Sequence, residues 1–466
     1  MKPLILQEMA VAMGGRVYGE ISGPRVTSVS TDTRSLRPEA LYFAIKGDNF
    51  DGHDFVQDAL QKGATAAVVT NARQFDEALR ARGRLVEVDD TLVALGRLAG
   101  WYRKQFAAQV VAVLGSNGKT TTKDMIHAVL SSKKRGKAAA ASFNNSVGVP
   151  ITLLEVEPAD EYVVVEMGTN HPGEIASLAR MVLPDMAVVT SIGEEHLEGF
   201  GDLEGVAAEE FSFLPFVQGR GFVAVSEQAA EYMPSALGGS QRSRIIYGFN
   251  AAADLRVTNV RQETGGISFS VNGRFVYSVP LLGRHNVLNA LAASAIGTRF
   301  RLEHAEIAAA LSKFRGPKMR MQGVQHGSLY LINDAYNANP SSMKAAFEAM
   351  DALARPGRRV LILGDMRELG DQSQRCHQKV GREAGASSAS VIIAVGAMSR
   401  VMADGATSAA GTSKRIYSFP SIEALADKLP NLLEPGDSVL LKASRGAKLE
   451  RIAPLIEKCG AAALST

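Results

Sequence analysis

Cysteine is almost missing: Cys376 and Cys459 are the only two in 466 residues, far apart and outside any metal-ligand spacing. That argues against a disulfide scaffold or a cysteine-held zinc and fits a reducing compartment. Excess charge of one sign is also missing, since the formal net charge is only +3, too slight to argue for a nucleic-acid partner. The short basic run Lys133-Lys134-Arg135 with Lys137 has no interleaved aromatics and reads as a solvated helix end. No apolar run is long enough to span a membrane, and the stretch at 4–6, broken by Gln7 and Glu8, is too short for a signal peptide. The expectation is a cytoplasmic protein without a membrane partner. What remains is 46% hydrophobic and 21% charged, enough for true cores, over a length that suggests about three domains.

Residues 110–121 organise the chain. The Val-rich run 110–114 reads as a buried strand, it stops at Gly115, and 119–130 reads as a helix. Strand, glycine turn and helix together aim backbone N–H groups and a helix N-terminus at a phosphate. In Gly115-Ser116-Asn117-Gly118-Lys119-Thr120-Thr121, Lys119 would reach terminal phosphates and Thr120 would hold a magnesium ion. Gly118 lets the backbone approach the anion without a side chain in the way. The first glycine of G-x-x-x-x-G-K-[ST] falls at Val113, so the generic pattern is incomplete.

The whole reads as an α/β protein of three domains: a small N-terminal α/β unit (1–105), a central mostly parallel sheet with helices on both faces (106–312), and a C-terminal Rossmann-like α/β unit (313–466). In the first, strands at 41–45 and 66–69 and a helix at 55–62 frame two loops, Ser30 to Arg34 and Lys46 to Phe55. Thr31, Asp32 and Arg34 suit a diphosphate and a uracil-like ring, although Asp32 and Arg34 equally form a surface ion pair. His53 serves equally well as a capping residue.

In the central unit, strands at 162–166, 186–192 and 222–226 follow the first, and ligands bind beyond the carboxyl ends of such strands. Glu166 and His196 therefore share an edge with Lys119, where a carboxylate and an imidazole are reasonable magnesium ligands, although imidazole is unusual for so hard an ion and a structural histidine is the alternative. Asn144 and Asn145, in a loop closed by Gly148 and Pro150, would hydrogen-bond a polar ligand or simply make a turn. Asn286 and Asn289 lie one helical turn apart, where an amide can read adenine or, at 286, cap the helix. After the breaker-rich link 314–317, the third unit repeats strand then polar loop at 329–342, 360–370 and 439–446, so parallel strands would gather all three loops at one edge.

Taken together, the glycine turn at 115–121, Asn144-Asn145-x-x-Gly148-x-Pro150, Glu166-Met167-Gly168, His196-Leu197-Glu198, His285-Asn286 with Asn289, Asn333 to Pro340, and Leu363-Gly364-Asp365-Met366 resemble the Mur ligases. These are the ATP-dependent amide-forming enzymes of bacterial cell-wall synthesis, and the last two motifs resemble the branch that adds D-alanyl-D-alanine. The resemblance implies ATP and a pair of magnesium ions as cofactors, UDP-N-acetylmuramoyl-tripeptide and D-Ala-D-Ala as substrates, and a monomer. Lys119 would bind the β- and γ-phosphates, Thr120 and Glu166 one magnesium, and His196 the second. Asn289 would contact adenine, Asp334 the ribose, and Arg320 the phosphates. Thr31, Asp32 and Arg34 would hold the UDP end, with Asn144, Asn145, Tyr336, Asn337 and Asn339 on the substrate side.

Two positions depart from the family pattern. Where the family usually carries a lysine carbamoylated by CO₂, alignment through Gly205-Val206-Ala207 puts Glu210, which would supply the same negative charge to the second cation. Met319 precedes Arg320 where glycine is usual. The rival readings are a folylpolyglutamate-synthetase-like ligase, disfavoured by the N-terminal unit, and a nucleotide-binding regulator weakened in catalysis by Glu210. No residue identifies itself as the base that deprotonates the attacking amine.

Overall fold

The computed structural model describes residues 1–19, 25–47, 49–81, 84–234, 243–263 and 265–462. Asp48 of the second N-terminal loop falls outside them. Among the described residues, three large sheets divide the chain, with a small antiparallel pair of Leu4–Ile5 and Arg25–Val26 beside the first.

The central sheet runs Phe275–Val279, Gly266–Val271, Leu255–Glu263, Ser243–Gly248, Phe222–Ser226, Met186–Val189, Gln109–Leu114, Tyr162–Glu166, Gly136–Ala138. From Leu255–Glu263 to Gly136–Ala138 all neighbours are parallel. The two strands at the far edge add antiparallel hairpins, an extension that the sequence reading did not foresee. Gln109–Leu114 is apolar on both sides because both sides are covered. Val110, Ala112 and Leu114 face one core, while Val111 and Val113 face another built on Lys119–Ser131 and Arg284–Arg299. Those helices pack so closely that a Cβ on Gly297 would lie 2.9 Å from Val129 Cγ1.

The N-terminal sheet, Arg16–Tyr18, Leu85–Glu87, Ala66–Val69, Ala40–Phe43, Ser28–Ser30, is parallel except at its first strand. Its core is continuous with that of the central sheet. Helix Thr91–Arg103 joins them: the Tyr102 hydroxyl donates to Val156 O at 2.7 Å, and Arg103 donates to Val182 O, Leu183 O and Asp185. The C-terminal sheet, Gln322–His326, Leu329–Asp334, Ser438–Lys442, Arg359–Gly364, Val391–Val395, Arg415–Phe419, is parallel apart from its first strand. Its three polar loops therefore emerge at one edge, toward the central sheet.

Some expected elements shift, the strand expected at 41–45 running Ala40–Phe43. The helix expected at 55–62 is Val56–Gln61, preceded by a tighter turn at Gly52–Phe55 whose first free N–H, that of His53, is taken by Asp51 at 3.0 Å. The strand expected at 186–192 ends at Val189, because the next residues leave the ladder to clasp the glycine turn: Ser191 O accepts from Ser116 N at 2.8 Å.

Candidate active site

A cavity of about 790 Å³ lies where the carboxyl edges of the central and C-terminal sheets face each other. On the central side it is floored by the turn from Ser116 to Thr121, with Asn144, Asn145, Glu166, His196 and Asn289 around it. Arg320, Asp334, Tyr336, Asn337 and Asn339 close it from the other side.

The turn has the shape its glycines allow. Gly115 (φ +108°) and Gly118 (φ +84°) hold backbones that L side chains rarely adopt. A Cβ on Gly115 would sit 2.5 Å from Thr190 Oγ1, and one on Gly118 2.5 Å from Asn289 Oδ1. The two glycines thus let the turn press against its neighbours, while the N-terminus of helix Lys119–Ser131 opens into the cavity. Lys119 Nζ donates to Gly115 O at 2.5 Å and lies 3.7 Å from Glu195 Oε2. Burial alone would lower the pKa of Lys119, yet the carboxylates of Glu195, Glu210 and Glu166 outweigh it and raise it.

Three carboxylates around this lysine each keep one oxygen without a partner, but only two of them line the cavity. Glu166 is buried at the end of its strand, with Oε1 accepting from Asn144 Nδ2 at 3.0 Å and Oε2 without a partner. Glu195 is also buried on the cavity wall, and its Oε1 has none. Glu210 does not line the cavity. Helix Leu203–Glu210 ends behind the turn, so Glu210 Oε2 accepts from Gly115 N–H at 2.7 Å. Burial pushes its carboxyl up to about 8, against the pull of Lys119. The sequence reading put Glu210 among the cation ligands; the helix is too deep for its carboxylate to join them on the wall.

Unpaired buried carboxylate oxygens are costly unless a cation meets them. Glu166 Oε2, Glu195 Oε1 and the Thr120 hydroxyl are hard oxygen donors, a set that fits magnesium. Among the described residues no three His, Cys, Asp or Glu side chains converge as a ready-made metal cluster. That suits an ion held by one or two carboxylates and completed by phosphate oxygens.

The other side is tied across by side chains. Arg320 Nη2 donates to Thr120 Oγ1 at 3.1 Å, and its guanidinium stacks 4.2 Å from the centre of the Tyr336 ring. The Tyr336 hydroxyl donates to Ser142 Oγ at 2.8 Å, and Asn339 Nδ2 donates to Asn117 Oδ1 at 3.0 Å. Met319, where glycine is usual, takes a left-handed backbone (φ +58°) to aim Arg320 inward. Asp334 Oδ1 accepts from Met321 N–H at 3.0 Å, and its Oδ2 pairs with the buried Lys442 at 2.5 Å. Asn337 contributes its carbonyl to the same lysine at 3.1 Å.

Several expected ligand-readers are occupied within the protein. Asn289 donates to Asn286 Oδ1 at 2.9 Å and accepts from the Thr122 hydroxyl at 3.1 Å, beneath the turn but on the cavity wall. Asn145 Oδ1 caps helix Gly148–Leu154 by accepting from Val147 and Gly148 N–H. Thr31, Asp32 and Arg34 lie away from the cavity, at the carboxyl edge of the N-terminal sheet. There Asp32 pairs with the exposed Arg34 at 2.6 Å, and that hydrogen-bonded guanidinium holds the carboxyl down at about 2. His53 joins the same edge, with Nδ1 2.6 Å from Asp51 and Nε2 accepting from Thr70 N–H at 3.1 Å.

The sequence reading missed Glu195, Lys442, Arg445 and Ser142, all on the cavity wall. Lys442 and Arg445 stood in the third polar loop, directly after an apolar strand, and that position was the available signal. Glu195 stands directly before His196, and its place on the same loop is the only signal the sequence offers for it.

Comparison with known proteins agrees along the chain. Residues 25–103 match the model for the Mur ligase family, catalytic domain; 113–297 match the Mur ligase middle domain; and 319–445 match the Mur ligase, glutamate ligase domain. The chain is 35% identical over 444 residues to UDP-N-acetylmuramoyl-tripeptide–D-alanyl-D-alanine ligase of Bacillus subtilis, covering 94% of this chain and 95% of that one. It is 36% identical over 458 residues to the enzyme of the same name from Escherichia coli, with 95% and 96% covered. A crystal structure of MurF from Acinetobacter baumannii superposes with a TM-score of 0.88 at 29% identity, covering 98% of this chain and 99% of that one.

Proposed function

The chain belongs to the Mur ligase family, and we propose that it joins D-alanyl-D-alanine to UDP-N-acetylmuramoyl-tripeptide at the expense of ATP, as a cytoplasmic monomer in peptidoglycan precursor synthesis. The observation that carries the reading is the pair of unpartnered buried carboxylate oxygens, on Glu166 and Glu195, flanking Lys119 in a cavity shared by two lobes. Such a site is built to gather anions and cations that the chain itself does not supply. In this reading residues 1–105 hold the UDP end through Thr31, Asp32 and Arg34, 106–312 hold ATP, and 313–466 bring the dipeptide and close the cavity.

The chemistry follows from charge. A carboxylate resists an amine at neutral pH until one of its oxygens becomes a leaving group. The tripeptide's terminal carboxylate attacks the γ-phosphorus of ATP, ADP leaves, and an acyl phosphate forms. Lys119 and the N–H groups of the turn neutralise the β- and γ-phosphates, so that one anion can approach another. Thr120 and Glu166 would hold magnesium and His196 would face a second ion, and ions bound there would supply charge neutralisation at the transferring phosphoryl group. Asn144 fixes Glu166 by donating to Oε1, leaving Oε2 to the cation. Arg320 reaches in from the C-terminal lobe toward the phosphates, Asp334 toward the ribose, and Asn289 toward adenine. The D-Ala-D-Ala amine then attacks the acyl carbon, and phosphate departs from the tetrahedral intermediate. Contacts between the lobes, such as Asn117 with Asn339 and Ser142 with Tyr336, keep water from the acyl phosphate.

The test is phosphate release with product identified by mass, using tripeptides carrying diaminopimelate or lysine at the third position. Release that needs both tripeptide and D-Ala-D-Ala supports the ligase. Nucleotide binding with no such release would point to a regulator, and glutamate addition to a folate would point to the folylpolyglutamate branch.

A further inference from the structure

We propose that Glu195 supplies the anionic oxygen that relatives obtain from a carbamoylated lysine, so that the second cation is held without CO₂. The inference rests on the ligase reading above and concerns which residue of this chain does that work.

The obvious substitute by alignment, Glu210, is spent elsewhere. Its Oε2 takes the N–H of Gly115 at 2.7 Å from behind the turn, and its Oε1, although also without a partner, does not reach the cavity wall. Its role is to hold the glycine turn in shape. Glu195 has the opposite disposition. It follows the strand Met186–Val189, on the loop that clasps the turn, and a tight bend (Glu195 N–H to Gly193 O, 2.8 Å) turns it inward. The next residue, His196, takes a left-handed backbone (φ +46°), reaches Glu368 of the other lobe through Nδ1, and lines the same cavity as Glu195.

Glu195 is only 8% exposed, yet it lines the cavity. Its Oε2 lies 3.7 Å from Lys119 Nζ, a loose pairing for a buried charge, and Oε1 has no partner. Across the turn, Glu166 Oε2 is likewise unpartnered. A lone ion pair with Lys119 would leave half of the Glu195 carboxylate unsatisfied, whereas a divalent cation bridging protein and phosphate oxygens would use it. A carbamate and a carboxylate present the same two anionic oxygens, and only the first requires bicarbonate to exist.

The test counts Mn²⁺ bound to the full-length protein by EPR in the presence of ADP, in CO₂-depleted and bicarbonate-supplemented buffer. The variants are Glu195→Gln, Glu195→Asp and Glu210→Gln, with a thermal melt of each to confirm folding. The expected result is that wild type binds Mn²⁺ equally in both buffers. Glu195→Gln weakens that binding by about 10- to 100-fold, Glu195→Asp recovers part of it, and Glu210→Gln, whose amide oxygen can still accept from Gly115 N–H, leaves it in place. Loss of Mn²⁺ in Glu210→Gln but not in Glu195→Gln would overturn the proposal, as would a wild type that needs bicarbonate. A Glu195→Gln variant with weaker metal-free ADP binding and unchanged Mn²⁺ binding would also overturn it, leaving Glu195 as a partner of Lys119 alone. A wild type that binds neither ADP nor Mn²⁺ would overturn the nucleotide reading itself.

Discussion

His196 Nδ1 lies 2.9 Å from Glu368 Oε2, joining the loop after the strand Met186–Val189 to the loop after the strand Arg359–Gly364 in the opposite lobe. The ring holds the Glu368 carboxyl below its usual range. A carboxylate on Nδ1 fixes the tautomer and leaves Nε2 as the free lone pair. Beside it Lys379 of the C-terminal lobe pairs with Glu194 at 3.1 Å. Both contacts exist only when the lobes meet, so closing the cavity and orienting His196 are one event.

Replacing Glu368 tests that coupling. Glu368→Ala should lower kcat by about 10- to 100-fold, with little loss of thermal stability because its side chain is largely exposed. Distances between spin labels on the two lobes should lengthen. An unchanged kcat with an unchanged distance distribution would show that the pair positions nothing.

Arg320→Lys keeps the charge but removes the planar group that stacks on Tyr336 and donates to Thr120. The lost stacking, worth about 0.5–2 kcal/mol, corresponds to an increase of about 2- to 30-fold in KM for ATP. The direct check is ADP affinity by calorimetry, and equal affinity in the two proteins would dismiss the stacking argument.

Lys123 is fully buried and donates to Ala139 O at 2.6 Å and Ala141 O at 2.5 Å, pinning the segment that leads to Ser142 and Asn144. Lys123→Met fills the space but strands both carbonyls, at a cost of about 1–3 kcal/mol each. Urea unfolding should show the loss, accompanied by weaker nucleotide binding. A variant as stable as the parent would mean that water satisfies those carbonyls.

His285 gives a pH dependence with a definite sign. Burial pushes its pKa down to about 4, and Asn286 Nδ2 lies 3.2 Å from Nε2 with Nδ1 unpartnered, an arrangement for a neutral ring. In the unfolded chain the ring takes a proton near pH 6.5. Between those values the unfolded state binds more protons, so stability is full above about pH 6.5 and falls as pH drops toward 4, by up to about 1.4 kcal/mol per pH unit. Wild type should lose more stability than His285→Gln between pH 7 and pH 5, roughly the window set by these pKa values. Parallel denaturation curves for the two proteins would contradict the buried neutral ring.

The sequence alone determined the buried parallel strands around the turn, and the turn itself, but not the antiparallel edge of the central sheet. Runs such as Val110 to Leu114 and Tyr162 to Glu166 are apolar on both faces, which only a covered parallel sheet tolerates, and Gly115 and Gly118 allow backbones that few other residues adopt. It also put Lys119, Glu166 and His196 on one edge, because parallel strands end on the same side. Which carboxylate reaches the cavity was beyond it. Glu195 and Glu210 are the same residue type at similar distances in sequence from Lys119, and only the depth at which helix Leu203–Glu210 packs puts one behind the turn and the other on the wall. Likewise no local pattern announces that His196 meets Glu368, or that Lys442 meets Asp334. The first pairing arises from two sheets brought edge to edge and the second from neighbouring strands of one sheet, and burial then decides which charges are spent inside the protein and which stay free for a ligand.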